Sequence, residues 1–239
     1  MKGIILAGGT GSRLKPMTDI CNKHTLPLAG KPMIYHAIGK FAEADIKEIM
    51  IITGTEHAGN MFQSLGSGKK FNCNFTYKIQ DEPNGIAGAL LLAKEFVGND
   101  LCCVILADNI FTESINSFVQ VFESYNNSAM FILKEVIDPQ RFGVAVIEDK
   151  KIVSIVEKPS KFISNKVITG IYFYKPEIFD VIVNVCKPSE RGELEISDAN
   201  DFLIKNGNAL SYCTLDGFWS DCGTVTSYIK TNKELTKNL

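Results

Sequence analysis

At 239 residues, with 25 Lys+Arg against 27 Asp+Glu and 45% hydrophobic residues, the chain has the makeup of one ordinary globular domain or two small ones. A formal net charge of −2 excludes the broad basic face that nonspecific nucleic-acid binding requires, so any phosphate-bearing ligand must be met by a few local cations. Met1 to Ala7 runs into glycines before reaching the length of a signal-peptide core or a membrane span, which makes a cytoplasmic protein without a membrane partner the default expectation.

Short apolar runs alternate with helical patterns through the first part of the chain. Strands are expected at Ile4 to Ala7, Ile49 to Thr53, Phe75 to Ile79, Cys102 to Leu106 and Ala129 to Leu133, with helices at Pro32 to Ala44, His57 to Leu65, Ile86 to Phe96 and Ile115 to Tyr125. Parallel strands need such crossover helices, so the fold class is α/β with a mixed, mostly parallel central sheet, Rossmann-like and three-layered. From about Arg141 the strands crowd together, at Val144 to Ile147, Ile152 to Glu157 and Ile168 to Tyr174, with a turn at Glu148 to Lys151. Helices follow near Glu177 to Val185, Ser197 to Lys205 and Thr226 to Leu235. No Gly/Ser/Pro-rich linker interrupts the chain, which reads as one continuous domain with halves 1–140 and 141–239. The cysteines, Cys21, Cys73, Cys102, Cys103, Cys186, Cys213 and Cys222, form no CxxC pair and have no histidines at zinc-finger spacing, so they read as reduced and mostly buried thiols.

Gly8, Gly9, Thr10, Gly11, Ser12 and Arg13 follow the first strand directly. Glycines there permit backbone conformations closed to other residues and bring amide N–H groups close to a phosphate. A tight turn is the bland alternative. The dinucleotide fingerprint fails because Leu14 stands where its third glycine belongs, and Thr53-Gly54 replaces the acidic residue at the end of the second strand. A P-loop fails because Gly11 is followed by Ser12 and Arg13 rather than Lys and Ser/Thr. What remains is a glycine loop with an arginine inside it and Lys23 some ten residues on, a combination suited to a polyphosphate.

The segments LAGGTGSRL, NKHTLPL and KPMIYH resemble the N-terminal signature of the sugar-nucleotide pyrophosphorylases, nucleotidyltransferases that join a nucleoside triphosphate to a sugar 1-phosphate. Gln80-Asp81 with Gly85-Ile86-Ala87, Leu106 to Asn109, Arg141 to Val144, Glu157-Lys158-Pro159, Thr169 to Tyr172, Arg191 to Ile196 and Trp219 to Thr224 are similar, in order and spacing, to the glucose-1-phosphate thymidylyltransferase branch. The resemblance spans nearly the whole chain.

It implies attack of a sugar 1-phosphate oxygen on the α-phosphorus of a nucleoside triphosphate, with pyrophosphate leaving. Such chemistry depends on holding two anions in line and neutralising their charge. By resemblance, Asp108 and Asp221 hold Mg²⁺, for which carboxylate oxygens are suitable ligands. Arg13 and Lys23 take the outer phosphates, on the loop of Gly8, Gly9, Thr10, Gly11 and Ser12. Lys158 grips the sugar 1-phosphate, Glu157 takes sugar hydroxyls, and Asn109, Gly143, Thr169, Tyr172 and Arg191 complete that pocket. Gln80 and Gly85 recognise the base, since a glutamine amide offers both an acceptor and donors to a pyrimidine edge. The bland readings are an Asx-turn or N-cap for Asp108, a turn for Asp221, solvated cations for Arg13 and Lys23, an exposed ion pair for Glu157 and Lys158, and an interior strand position for Tyr172. Phe142 departs from a tyrosine frequent at its position, and the three histidines, His24, His36 and His57, match no catalytic pattern.

The substrates implied are dTTP and glucose 1-phosphate, giving dTDP-glucose, with the same chemistry on UTP, CTP or another sugar 1-phosphate as the alternative. Thymine and uracil share a hydrogen-bonding edge and differ by one methyl group, worth only about 1–3 kcal/mol in a pocket. A noncatalytic sugar-nucleotide sensor on the same fold is a competing reading. The resemblance further implies a homo-oligomer, no nucleic-acid partner, a role in nucleotide-sugar supply for polysaccharide, and absence of the feedback site that longer members build from a further helical segment on the order of 50 residues.

Overall fold

The structure, a computed structural model, describes residues 1–237. In chain order its elements are β1 (Lys2–Ala7), β2 (Pro27–Leu28), β3 (Lys31–Pro32), α1 (Ile34–Glu43), β4 (Glu48–Gly54), α2 (Ala58–Leu65), β5 (Asn74–Gln80), α3 (Gly85–Leu91), α4 (Lys94–Val97), β6 (Cys102–Leu106) and β7 (Asn109–Phe111). They continue with α5 (Asn116–Ser124), β8 (Ala129–Glu135), β9 (Gly143–Glu148), β10 (Lys151–Glu157), β11 (Lys166–Tyr174), α6 (Glu177–Val185), α7 (Ile196–Lys205), β12 (Leu210–Thr214), β13 (Trp219–Asp221) and α8 (Val225–Thr236). The fold is the expected α/β one with a mixed central sheet. No helix among the described residues is long and apolar enough to cross a membrane.

The chain divides into two compact units, each drawn from separate stretches of the sequence. One comprises Lys2–Pro83, Ile105–Ile115 and the chain from Gly217; the other comprises Asn84–Val104, Asn116–Asp216 and Met1.

In the first unit β1, β4 and β5 lie parallel and in strict register, Ala7 beside Thr53 and Gly54 beside Gln80, and the end of β6 flanks β1. Continuous apolar runs suit strands covered on both faces, and Ile4, Ile5, Ile49, Ile51 and Ile52 are fully buried. Helix α1 buries Ile34, Ala37, Ile38 and Phe41, one stripe at helical spacing. It starts at Ile34 rather than Pro32 because Lys31–Pro32 pairs antiparallel with Pro27–Leu28. Two strands of three residues, β7 and β13, pair antiparallel and place Asp221 opposite Asn109. Beside them Leu28, Met33, Ile110 and Cys222 form a small core, against which Tyr228 and Leu235 of α8 pack.

In the second unit β8 lies between β11, antiparallel, and β12, parallel, while β9 pairs antiparallel with β10 and β11. The expected helix from Ile86 to Phe96 is two, because the amides of Leu92 and Ala93 reach back only three residues, to Ala89 and Leu90, and tighten the chain between α3 and α4.

Candidate active site

The glycine loop leaves β1 at the carboxyl ends of the parallel strands, where ligands gather in open α/β sheets. Gly11 has a left-handed backbone (φ 68°), and a Cβ there would stand 2.8 Å from Thr18 Cγ2 and 2.9 Å from Lys23 Cβ. A Cβ on Gly9 would lie 3.0 Å from Lys23 Cε, and one on Gly8 only 2.5 Å from Gln80 Oε1. Gly11 is therefore required by its backbone and by the approach of Thr18 and Lys23, whereas at Gly8 and Gly9 the mobile ends of the Gln80 and Lys23 side chains pass close to the loop. A cavity of about 290 Å³ opens here, lined by Gly8, Gly9, Thr10, Asn22, Gln80 and Asp81 among others. Ser12 lines an adjoining cleft with Thr10 and Lys15.

Asp108 occupies the turn between β6 and β7 and is not a helix N-cap. Lys23 Nζ lies 2.5 Å from its Oδ2, both side chains being largely covered (11% and 18% exposed), and Asn109 Nδ2 donates to its Oδ1 at 3.1 Å. Burial alone would push the Asp108 carboxyl up; the charge of Lys23 and the hydrogen bonds from Lys23 and Asn109 outweigh it and hold the group well below the usual carboxylate range. Asp108 accordingly remains a carboxylate. Its backbone carbonyl accepts from the Cys222 amide at 2.8 Å, which ties it to the segment bearing Asp221. A Cβ on Gly223 would stand 3.4 Å from an Arg13 guanidinium nitrogen and 3.6 Å from Asp221 Oδ2, so Arg13 and Asp221 converge over that glycine.

Residues of the matched segments to which the sequence assigns no role support this arrangement. Asn22 Oδ1 accepts from the His24 amide at 2.9 Å and faces the His24 ring Nδ1 at 2.8 Å, while its amide donates to the Ala7 carbonyl at 3.4 Å. The turn carrying Lys23 is thereby fastened to the end of β1. His24 is buried, and desolvation, reinforced by Lys23, lowers its pKa from 6.5 to about 3, so the ring is neutral. Trp219 Nε1 donates to Asn109 Oδ1 at 2.9 Å. Asn109, expected at the sugar phosphate, is buried with both ends of its amide engaged; it braces Asp108 instead.

In the other unit, Gly143 lies opposite Glu157, and a Cβ on it would stand 3.2 Å from Glu157 Oε2. That oxygen accepts from Ser197 Oγ at 2.7 Å, and Lys158 Nζ lies 3.4 Å from Oε1. Lys158 has a positive φ of 41°, a conformation costly for a side chain with a Cβ, so its place beside Glu157 is imposed by the fold. Three side chains expected at the sugar phosphate make contacts within the protein. Thr169 is fully buried and its hydroxyl donates to the Ile132 carbonyl at 2.8 Å, so it braces two strands rather than lining a sugar pocket. Tyr172 is buried with its ring stacked on Tyr174 at 5.9 Å, the interior reading. Arg191 is held by Glu195 at 2.7 Å. Gly85, with φ 92°, is required because Leu194 O would stand 2.5 Å from its Cβ; packing within the unit explains that glycine.

The nucleotidyl transferase family model matches residues 2–238. The chain belongs to the nucleotidyl transferase family. Among curated relatives of this nucleotidyl transferase, the glucose-1-phosphate thymidylyltransferase of Neisseria meningitidis is 39% identical over 95% of this chain and 80% of that protein. A low-salt glycan biosynthesis nucleotidyltransferase of Haloferax volcanii is 38% identical over 98% of this chain, which spans 65% of its length. A crystal structure from Bacillus anthracis, assigned as a glucose-1-phosphate thymidylyltransferase and holding sucrose, is 49% identical with a TM-score of 0.95, covering 100% of this chain and 96% of that one. A UDP-glucose pyrophosphorylase complexed with UDP-glucose is 26% identical with a TM-score of 0.85, over 100% and 99% of the two chains.

Proposed function

We propose that this nucleotidyl transferase moves a thymidylyl group from dTTP to glucose 1-phosphate, giving dTDP-glucose and pyrophosphate. The observation that carries the reading is the Lys23–Asp108 pair against the glycine loop: one cation for the outer phosphates and one carboxylate, both fixed and largely dry. In that setting each charge acts more strongly than in water.

Arg13 and Lys23 bind the β- and γ-phosphates and offset the charge that grows on departing pyrophosphate. Gln80, beside Gly8, presents its amide to the base. Lys158 orients the sugar 1-phosphate, and Glu157, held by Ser197, accepts from sugar hydroxyls. Asp108 and Asp221 offer hard oxygens, and no group of three or more His, Cys, Asp or Glu fit to hold a metal occurs among the described residues. That donor set fits Mg²⁺, which keeps waters and substrate phosphates in its shell and takes only one or two carboxylates. When bound, Mg²⁺ supplies Lewis-acid polarisation of the α-phosphate.

The UDP-glucose pyrophosphorylase neighbour favours a second reading, the same reaction with UTP, since the edge Gln80 reads is common to both pyrimidines. The deciding measurement is pyrophosphate release over a matrix of the four triphosphates and several sugar 1-phosphates, with and without Mg²⁺. Turnover is expected to be highest with dTTP and glucose 1-phosphate and to vanish without the metal. Asp108→Asn and Asp221→Asn are each expected to lower kcat by about 10²-fold or more, on the scale of losing one electrostatic contact to the transition state. A higher kcat/KM for UTP overturns the base assignment, and full activity in either variant overturns that carboxylate's role.

A further inference from the structure

We infer that Lys23 is an internal stand-in for the metal: it closes the Asp108 site in the ligand-free protein and yields it only to a metal–triphosphate complex. The inference rests on Asp108 and Asp221 being the metal carboxylates, as proposed above. Mg²⁺ binds a carboxylate oxygen at about 2.0–2.1 Å, and a cation already seated on that carboxylate opposes it by charge. In the structure Lys23 Nζ lies 2.5 Å from Asp108 Oδ2, and Asn109 Nδ2 is on Oδ1. A divalent ion arriving alone would have either to displace that ammonium, leaving it without an anion, or to share the carboxylate with it, like charges close together in a poorly solvated place.

A triphosphate removes the obstacle by supplying the anion that Lys23 would otherwise lack. The Lys23 stem already lies across the glycine loop, its Cε 3.0 Å from where a Gly9 Cβ would be. Transfer of the ammonium from carboxylate to phosphate is thus a change at the end of one side chain. The turn that bears it stays anchored by Asn22 and His24. The charge at Asp108 is balanced in both states, by Lys23 before binding and by the metal after it. Metal and nucleotide therefore enter together, and the metal-only state is suppressed.

The test is the affinity of the nucleotide-free protein for Mn²⁺ alone, read from the electron paramagnetic resonance signal of free Mn²⁺. Lys23→Met, which keeps most of the side-chain volume, and Lys23→Gln are both expected to bind Mn²⁺ at least about tenfold more tightly than the wild type. The gain is expected to disappear in Lys23→Met combined with Asp108→Asn. Variants no tighter than the wild type, or a gain that survives Asp108→Asn, overturn the inference. Calorimetric binding of dTTP with Mg²⁺ to the wild type and Asp108→Asn separates the two layers. Weakened binding in Asp108→Asn upholds the metal carboxylate, so that a failure with Mn²⁺ then counts against the Lys23 role alone. Undiminished binding overturns the metal assignment together with the inference.

Discussion

Gly11 shows how a single missing side chain can set a site. Its left-handed φ of 68° and the approach of Thr18 and Lys23 below 3 Å leave no room for a methyl group. Gly11→Ala is expected to destabilise the protein by about 1–3 kcal/mol and, because one of the two side chains it displaces is that of Lys23, to raise KM for the triphosphate more than for the sugar phosphate. Thermal melts and separate KM values check both parts; an unchanged KM for the triphosphate would count against the link to Lys23. His24 makes a prediction of a different kind. Its folded pKa, lowered to about 3 by burial and by Lys23, lies below its ordinary 6.5, so the unfolded chain takes the proton first. The stabilisation is complete above about pH 6.5 and is lost as pH falls towards 3, by up to about 1.4 kcal/mol per pH unit. His36, lowered chiefly by burial, acts in the same direction. Urea titrations in EDTA are expected to show falling stability from pH 7 to pH 5, with a shallower slope in His24→Gln. Equal slopes in the two proteins would contradict a buried neutral His24.

Elements differ in how far the sequence announces them. Strands β1, β4 and β6 are apolar runs bounded by turn residues, and the periodicity of α1 is plain, so the sheet and the position of the glycine loop were readable. The pair β7 and β13 was not, since three residues carry no period and their pairing partners are about a hundred positions apart. Yet that pair carries Asp221 to Asn109, next to Asp108. The start of α8 fastens it. Thr224 Oγ1 accepts from the Ser227 amide at 3.1 Å, Ser227 Oγ accepts from the Thr224 amide at 3.1 Å, and the same Ser227 hydroxyl donates to the Asp221 carbonyl at 2.9 Å. Thr224→Ala removes one side of this box and is expected to cost about 0.5–2 kcal/mol. It is also expected to weaken binding of the Mg²⁺–dTTP complex, because Asp221 loses a brace, whereas Thr224→Ser is expected to keep both properties. Calorimetry on the two variants decides; weakened binding in neither leaves the cap with a purely structural role.

At the scale of the whole molecule, length and a net charge of −2 bounded the answer without locating anything, because the cations at the site number only a few among 25. Motif order singled out Lys23 and Asp108, which the fold pairs, and Glu157 and Lys158, which it sets side by side; it gave no sign that Thr169 bonds a neighbouring strand or that Asn109 bonds Asp108, since spacing cannot tell which face of a strand a side chain takes or which amide partner it meets. The sequence reads the cysteines as mostly buried, and the folded chain shows which of them are. Cys73, Cys102, Cys103 and Cys222 are buried, whereas Cys21, Cys186 and Cys213 are partly exposed. Desolvation pushes the thiols of Cys102 and Cys222 up to about 12, and that of Cys186 up to about 11, so their thiolates are scarce near neutrality. Reaction with a chromogenic disulfide at pH 7 is therefore expected to be fast at Cys21 and Cys213 and slow at Cys186. The buried four are expected to react only at the rate of unfolding, and all seven in denaturant. Cys21 lines the cavity formed with Gly8, Gly9 and Gln80, so Mg²⁺–dTTP is expected to slow its modification while leaving Cys213 unaffected. Equal protection of both thiols would point to general tightening of the fold, and protection of neither would place the nucleotide outside that cavity.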